Sequence, residues 1–284
     1  MNLWLAFIFE SKFDRILSVQ INIYGVIVRE AKGTGIYFVS GTDRGLVRNN
    51  NEDACLVFHL PKNDQWILII ADGMGGHRKG DVASRIAVNS VSERLFRELD
   101  TNDSSEEICR KIIDTSERAN VRVYLESISN DSMKGMGTTL LLGVVDKNNM
   151  HIGNIGDCRA YVLRGDSKFY RITKDHSYAQ DLIDSGDIDE SEARVHPGRH
   201  VLTRSLGSPN YVQADIFVNK ITANDRWLFC SDGLHSYVSE LEIAKVLKEA
   251  RSPEEAVHKM IELANDAGGR DNVSVIVGFA DENI

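Results

Sequence analysis

The 284-residue chain has no surplus of positive charge: 33 lysines and arginines stand against 42 aspartates and glutamates, a formal charge of −9. A partner held by phosphate neutralisation needs a basic face, so no nucleic-acid partner is expected, although a local basic pocket is still allowed. Cysteine is also scarce. Cys55, Cys109, Cys158 and Cys230 form no CxxC pair and no compact disulfide frame, which fits a reducing cytoplasm. Long apolar runs are missing as well. The longest near the start, residues 3–9, is far short of the roughly 20 residues that span a bilayer, and no basic residue precedes it. Neither a signal peptide nor a transmembrane anchor is expected, and only a peripheral contact through Trp4 and Phe7 is left open. No internal repeat or low-complexity tract is visible. What is present is the composition of an ordinary soluble protein, 42% hydrophobic, with length for one large domain or two small ones.

From residue 36 the order of patterns is strands, two helices, more strands and helices again. IYFVSG (36–41), ACLVFH (54–59) and WILIIA (66–71) are β-rich, and a turn at Asn63 and Asp64 would join the last two as an antiparallel hairpin. Ala83, Ala87, Val91, Leu95 and Leu99 recur every four residues, the mark of a helix with one face on a sheet. A second helix is expected from the capping box of Ser104 and Glu107, carrying Ile108, Ile112, Ala119 and Val123 inward. The segments 138–146, 150–156, 159–164 and 168–173, separated by Asn148, Asn149, Gly165 and Asp166, read as a meander. Two late helices are signalled by Ser239 with Glu242 and by Ser252 with Pro253, before a last strand NVSVIVGFA. The expected fold is α+β, a four-layer αββα sandwich of two antiparallel sheets between helix layers. Residues 176–207 are polar, with Gly186, Pro197 and one short helical stretch at 189–194, and read as a lid-like insertion beside the site. Residues 1–35 are less legible, with a strand suggested by Ile21, Ile23 and the VIV that follows.

Three aspartates stand in glycine-adjacent turns, in ADGMGGH (71–77), LFCSDGL (228–234) and GGRDNVS (268–274), each beside an apolar run that reads as a buried strand. Strand ends at one edge of the core would bring Asp72, Asp232 and Asp271 together. Clustered carboxylates repel unless a cation lies between them, and hard oxygen donors suit Mg²⁺, Mn²⁺ or Ca²⁺. An isolated Asp-Gly pair ordinarily means only a turn; three with matched strand contexts point to a metal centre. Asp72 and the Gly73 carbonyl can both face an ion, and Asp72 can bridge two. A pair of ions about 3.5–4 Å apart can share a water, lower its pKa and hold it for in-line attack on phosphorus as a bridging hydroxide. Asp157, in GNIGDCRAY, is either a fourth acid of the cluster or a hairpin residue. In DRGLVRNNNEDA, Arg48 has the fork that fits two phosphate oxygens, and Glu52 and Asp53 can hold waters in an outer shell. The plainer reading of that segment is a solvated charged loop.

In this order, DRGLVRNNNEDA, ADGMGGHRKGDVAS, GMGTTL, GNIGDCRAYVLR, LFCSDGL and GGRDNVS resemble the motifs of the type 2C metal-dependent serine/threonine protein phosphatases, specifically their bacterial branch. The resemblance covers about residues 36–281, leaving 1–35 as an N-terminal extension of unknown role. It implies two Mn²⁺ or Mg²⁺ ions bridged by Asp72, with Asp232 and Asp271 completing the first and the Gly73 carbonyl serving the second. It implies outer-shell roles for Glu52 and Asp53, a phosphate-binding role for Arg48, and a third, weaker ion held by Asp157 with Asp232, with His200 where some members place a ligand or neighbour of that ion. Residues 176–207 match the family's mobile flap. The implied activity is hydrolysis of phosphoserine and phosphothreonine in proteins, the substrates of a serine/threonine kinase, by a cytoplasmic monomer. One departure stands out: animal members resemble DGH at the first metal motif, with the histidine proposed as general acid, whereas Met74 stands here. His77 is the nearest histidine in sequence.

His151, His176, His196, His235 and His258 have no metal-ligand spacing, so hydrogen bonding is their expected role. Cys158 and Arg164 satisfy the Cys-x₅-Arg spacing of cysteine phosphatases, but the intervening Arg-Ala-Tyr-Val-Leu reads as a strand, not a phosphate cradle. The rival from another class is a non-catalytic phosphoprotein-binding regulator of the same fold, which would be expected to have lost a core acid. A hydrolase of another phosphoester, such as a nucleotide, lacks the stacking aromatics and basic groove it would need.

Overall fold

The computed structural model describes residues 35–282 apart from 61, 76–78, 130, 148 and 166–167. The proposed strand and membrane contact within residues 1–34, and His77, lie outside the described residues. In chain order the strands are β1 (Ile36–Asp43), β2 (Asp53–Leu60), β3 (Gln65–Met74), β4 (Gly137–Thr138), β5 (Leu140–Asp146), β6 (Asn149–Ile155), β7 (Arg159–Arg164), β8 (Lys168–Arg171), β9 (Asp215–Lys220), β10 (Arg226–Cys230) and β11 (Val273–Ala280). The helices are α1 (Lys79–Glu98), α2 (Ser105–Ser129), α3 (Tyr178–Ser185), α4 (Glu190–Val195), α5 (Asp232–His235), α6 (Glu240–Glu249) and α7 (Pro253–Asp266). One sheet runs β1-β11-β10-β7-β8; the other runs β2-β3-β5-β6-β9, with β4 beside the end of β3.

The strand period of two builds the layers. On β3, Ile67, Ile69 and Ala71 face the α1/α2 layer, while Trp66, Leu68 and Ile70 face the other sheet. On β10, Leu228 and Cys230 face α6 and α7, while Trp227 and Phe229 point back between the sheets. Strands covered on both faces read as unbroken apolar runs, which is why WILIIA and WLFC show no alternation. The result is the αββα sandwich expected from the sequence. Ala83, Ala87, Val91, Leu95, Ile108, Ile112, Ala119 and Val123 are all fully buried, and Leu99 nearly so. The hairpin turn carries Asp64 at φ 51°, and the capping boxes at Ser104 and Ser239 are both formed.

One expectation is corrected. The four segments from 138 to 173 are not one meander: β5 and β6 pair in one sheet, β7 and β8 in the other. Gly156 sits at φ 105°, a conformation that strains any side chain, and there the chain leaves one sheet to cross to the other. Asp157 lies on that crossing, so it is no hairpin residue. β9, α3 and the one-turn helix α5 escaped the sequence reading. β9 is a half-exposed edge strand whose apolar signal is the short run Ile216, Phe217 and Val218, and α3 is a short helix inside the insertion, capped by Ser177 and closed by left-handed Gly186.

Candidate metal centre

Asp72 is held by backbone bonds at the end of β3. Its N–H donates to Thr139 Oγ1 at 2.8 Å, and its carbonyl accepts from Thr139 N–H and from Thr138 Oγ1, both at 2.9 Å. Across the β2/β3 pair Asp53 lies directly opposite Asp72. One residue on, Gly73 N–H donates to the Glu52 carbonyl at 3.2 Å. A Cβ at Gly73 would collide with the Gly80 carbonyl, and one at Gly80 with the Glu52 carboxylate, so this glycine contact seats the start of α1 against Glu52. Ser84 Oγ, one turn on, donates to the Glu52 carbonyl at 2.7 Å.

Asp232 opens α5 straight after β10, and Asp271 precedes β11. The two loops touch: a Cβ at Gly233 would overlap the Asn272 carbonyl. Asn272 ties the Asp271 loop to the Arg48 loop, accepting from Glu52 N–H at 2.7 Å and donating to the Arg44 and Asn50 carbonyls at 2.9 Å each. Ser231 donates to Asp53 Oδ2 at 2.8 Å and accepts from Ser274 N–H at 2.9 Å. Asp157 arrives from the sheet crossing, with its carbonyl accepting from His235 Nε2 at 3.0 Å. Burial pushes His235 down to about 4, with the Arg159 guanidinium adding to the effect, so the ring is neutral and carries its proton on Nε2.

These acids do not ionise independently. Burial pushes Asp53 up to about 7 against the pull of its Ser274 and Ser231 hydrogen bonds, and Asp232 and Asp271 push the same way. Burial, then the charges of Asp53, Asp232, Asp157 and Asp271, raise Asp72 well above the carboxylate range. Asp157 is raised by burial and by Asp232, and Asp271 by burial and Asp232 against the pull of Asn272 and Arg48. Only Asp232 goes down: burial opposes its charge, but the hydrogen bond to His200 prevails, and a bond from Asp72 helps. Four acids up and one down is how a crowded, buried carboxylate cluster divides its charge.

The donor set fits a hard divalent ion. Every acid offers oxygen, and the buried Asp53 Oδ1 has no hydrogen-bond partner. Among the described residues no three acid, histidine or cysteine side chains close around one point as they stand. Two of the acids are turned toward other groups: Arg48 Nη2 lies 2.8 Å from Asp271 Oδ2, and His200 Nδ1 lies 3.3 Å from Asp232 Oδ2. Arg48 remains half exposed, with the rest of its guanidinium fork open. Met74 packs beside Gly137, where it offers no proton.

The 176–207 insertion is pinned to the site at both ends. His176 N–H donates to the Gly156 carbonyl at 2.9 Å, and its Nδ1 accepts from Gly156 N–H at 3.0 Å, one residue before Asp157. At the far end Leu206 and Thr138 exchange backbone bonds of 2.8 and 3.2 Å, next to the Asp72 clamp. Ser231, Asn272, Thr139 and Ser84 were not singled out from the sequence. For Ser231, Asn272 and Thr139 the available signal is a polar residue beside an apolar strand, and for Ser84 a polar residue on the buried face of α1.

Comparisons with known proteins agree with this geometry. The family described as Protein phosphatase 2C matches residues 41–268. The serine/threonine phosphatase stp of Listeria innocua is 39% identical over 236 residues, 83% of this chain and 92% of the relative. The S. agalactiae serine/threonine phosphatase structure superposes with a TM-score of 0.81 at 31% identity, covering 87% of this chain and 100% of that one. The catalytic domain of serine threonine protein phosphatase PstP, in complex with two manganese ions, gives 0.74 at 33% identity, covering 87% and 98%. The chain belongs to the protein phosphatase 2C family, with its similar relatives among bacterial serine/threonine phosphatases.

Proposed function

We propose that the chain is a metal-dependent phosphoprotein phosphatase that hydrolyses phosphoserine and phosphothreonine, with substrates supplied by a serine/threonine kinase. The observation that carries this reading is the convergence of acids from separate strand ends: Asp53 lies opposite Asp72 and is bonded by Ser231 next to Asp232, Asp157 is tied to His235 of the Asp232 helix, and Asp271 meets Arg48. Manganese or magnesium, when bound, supplies the positive charge that neutralises the phosphoryl oxygens and activates water for attack.

The chain's own residues divide the remaining tasks. Asp72 would be shared between two ions, with Asp232 and Asp271 serving the first and the Gly73 carbonyl the second. Asp157 with Asp232 would hold a third, weaker ion, with His200 as its ligand or neighbour. Glu52 and Asp53 hold waters, Asp53 being fixed by Ser231. Arg48, oriented by Asp271 and open on its other N–H groups, takes two phosphate oxygens. Water oxygen bonds to phosphorus as the ester P–O bond breaks, and the leaving serine or threonine oxygen takes a proton. Met74 has none to give, so that proton arrives through water.

Cys55, Cys109, Cys158 and Cys230 are free, which supports a reducing, cytoplasmic setting. Among the described residues no helix is long and apolar enough to cross a membrane. The working form is taken to be a monomer. Because the chain keeps every core acid, nothing favours a binding-only regulator. Phosphothreonine-peptide turnover with and without Mn²⁺, in wild type and Asp232→Asn, tests the reading: activity should need the ion and vanish in the variant. Equal turnover by both proteins would sink it.

A further inference from the structure

Immediately before Arg48, two large apolar side chains stand in water: Leu46 is 68% exposed and Val47 is 64% exposed. They are not on a loose loop. Leu46 N–H and Val47 N–H both donate to the Gly269 carbonyl, at 2.8 and 3.1 Å. Left-handed Gly45 is packed so closely that a Cβ there would strike the Asp271 carbonyl, and one at Gly269 would come within 2.6 Å of Leu46 Cγ. Asp43 Oδ1 accepts from Gly45 N–H at 2.8 Å, which closes the turn. The segment is thus fixed by backbone bonds to the strand-end loop that carries Asp271, with its apolar side chains presented outward.

Single exposed apolar residues need no explanation, but an adjacent pair held by two backbone bonds, one side-chain bond and two glycine contacts does. Rigid presentation lowers the ordering cost of binding, which is what a preformed docking surface requires. Its place says what binds there. The pair directly precedes Arg48, whose guanidinium reaches Asp271, and is tied to Gly269 two residues before that aspartate, so it borders the place where a phosphate on Arg48 would lie. We infer that Leu46 and Val47 form a ledge that takes an apolar side chain flanking the phosphorylated residue, so that the enzyme selects phosphopeptides with apolar neighbours. This rests on the phosphatase reading and goes beyond it in naming the substrate's flanking chemistry.

The test uses the full chain with Mn²⁺ and two phosphothreonine peptides, one with leucine on both sides of the phosphothreonine and one with serine. Apolar contacts in enzyme pockets discriminate by about tenfold or more, and an open ledge by less, so about a fivefold preference in kcat/KM for the leucine peptide is expected. In Leu46→Ser/Val47→Ser that ratio should fall to about one through a raised KM for the leucine peptide, and turnover of a small aryl phosphate reports whether the site is intact. No preference in wild type, or one that persists in the double variant, overturns the inference. So does concentration-dependent dimerisation lost in the double variant with the peptide ratio unchanged, which would give the ledge to a second copy. If wild type turns over neither peptide nor aryl phosphate with Mn²⁺, the phosphatase reading itself has failed.

Discussion

Ser231 shows how much of the centre depends on residues that bind no ion. Its hydroxyl fixes Asp53 and accepts from Ser274 N–H, so Ser231→Ala leaves both without that partner. A buried polar group left unsatisfied costs about 1–3 kcal/mol, and a loss of that order is expected in urea unfolding, together with weaker Mn²⁺ binding by titration calorimetry. Arg48→Ala should act differently. The guanidinium is half exposed, so stability should change little, while KM for phosphopeptide should rise several-fold, the signature of a lost binding contact. An unchanged KM would remove Arg48 from phosphate binding. Asp72, Asp232 and Asp271 were legible as single residues because each stands in a glycine turn next to an apolar run. Ser231 and Asn272 were not, because a hydroxyl or amide that clamps a loop looks in sequence like any other polar residue.

At the scale of elements, the strands and long helices were legible where both faces are covered or where a strong period shows. WILIIA became the centre of β3, and the four-residue repeat from Ala83 to Leu99 became the buried face of α1 and the residues that follow it. The meander was misread because pairing between successive segments is a local expectation, and the sequence does not state which sheet receives them. Gly156 was the available signal: its left-handed conformation marks the crossing that delivers Asp157 to the cluster. Inside the insertion, α3 depends on its cap, Ser177, which accepts from Gln180 N–H at 3.3 Å. Ser177→Ala should cost about 1 kcal/mol and should speed amide exchange across 178–185. Exchange in β3 should be unaffected; acceleration there would mean that the insertion is part of the folding core.

For the molecule as a whole, acid crowding sets how stability depends on pH. Burial lifts Asp53 to about 7, so between its unfolded value and about 7 the folded state holds a proton that the unfolded state has released. Stability therefore falls as pH rises through that window, and the raised Asp72, Asp157 and Asp271 act in the same direction. Without divalent ions the melting temperature should drop between about pH 5 and pH 8, and Mn²⁺ should raise it more at the higher pH, because an ion favours the ionised cluster and binds only the folded form. A Mn²⁺ shift larger at pH 5 than at pH 8 would contradict this account of the centre.

The amino-acid sequence alone determined the layers and pointed to the acids: periodicity dictates which faces are buried, and three aspartates in glycine-adjacent turns with matched strand contexts are more than three separate turns need. Only the tertiary structure decided which sheet β7 joins, that Asp53 lies opposite Asp72, that Arg48 meets Asp271, and that Ser231 and Asn272 lock the loops between them. Those outcomes join residues up to 223 positions apart in the chain, and contacts at such separations are set by how the sheets pack and not by any local preference.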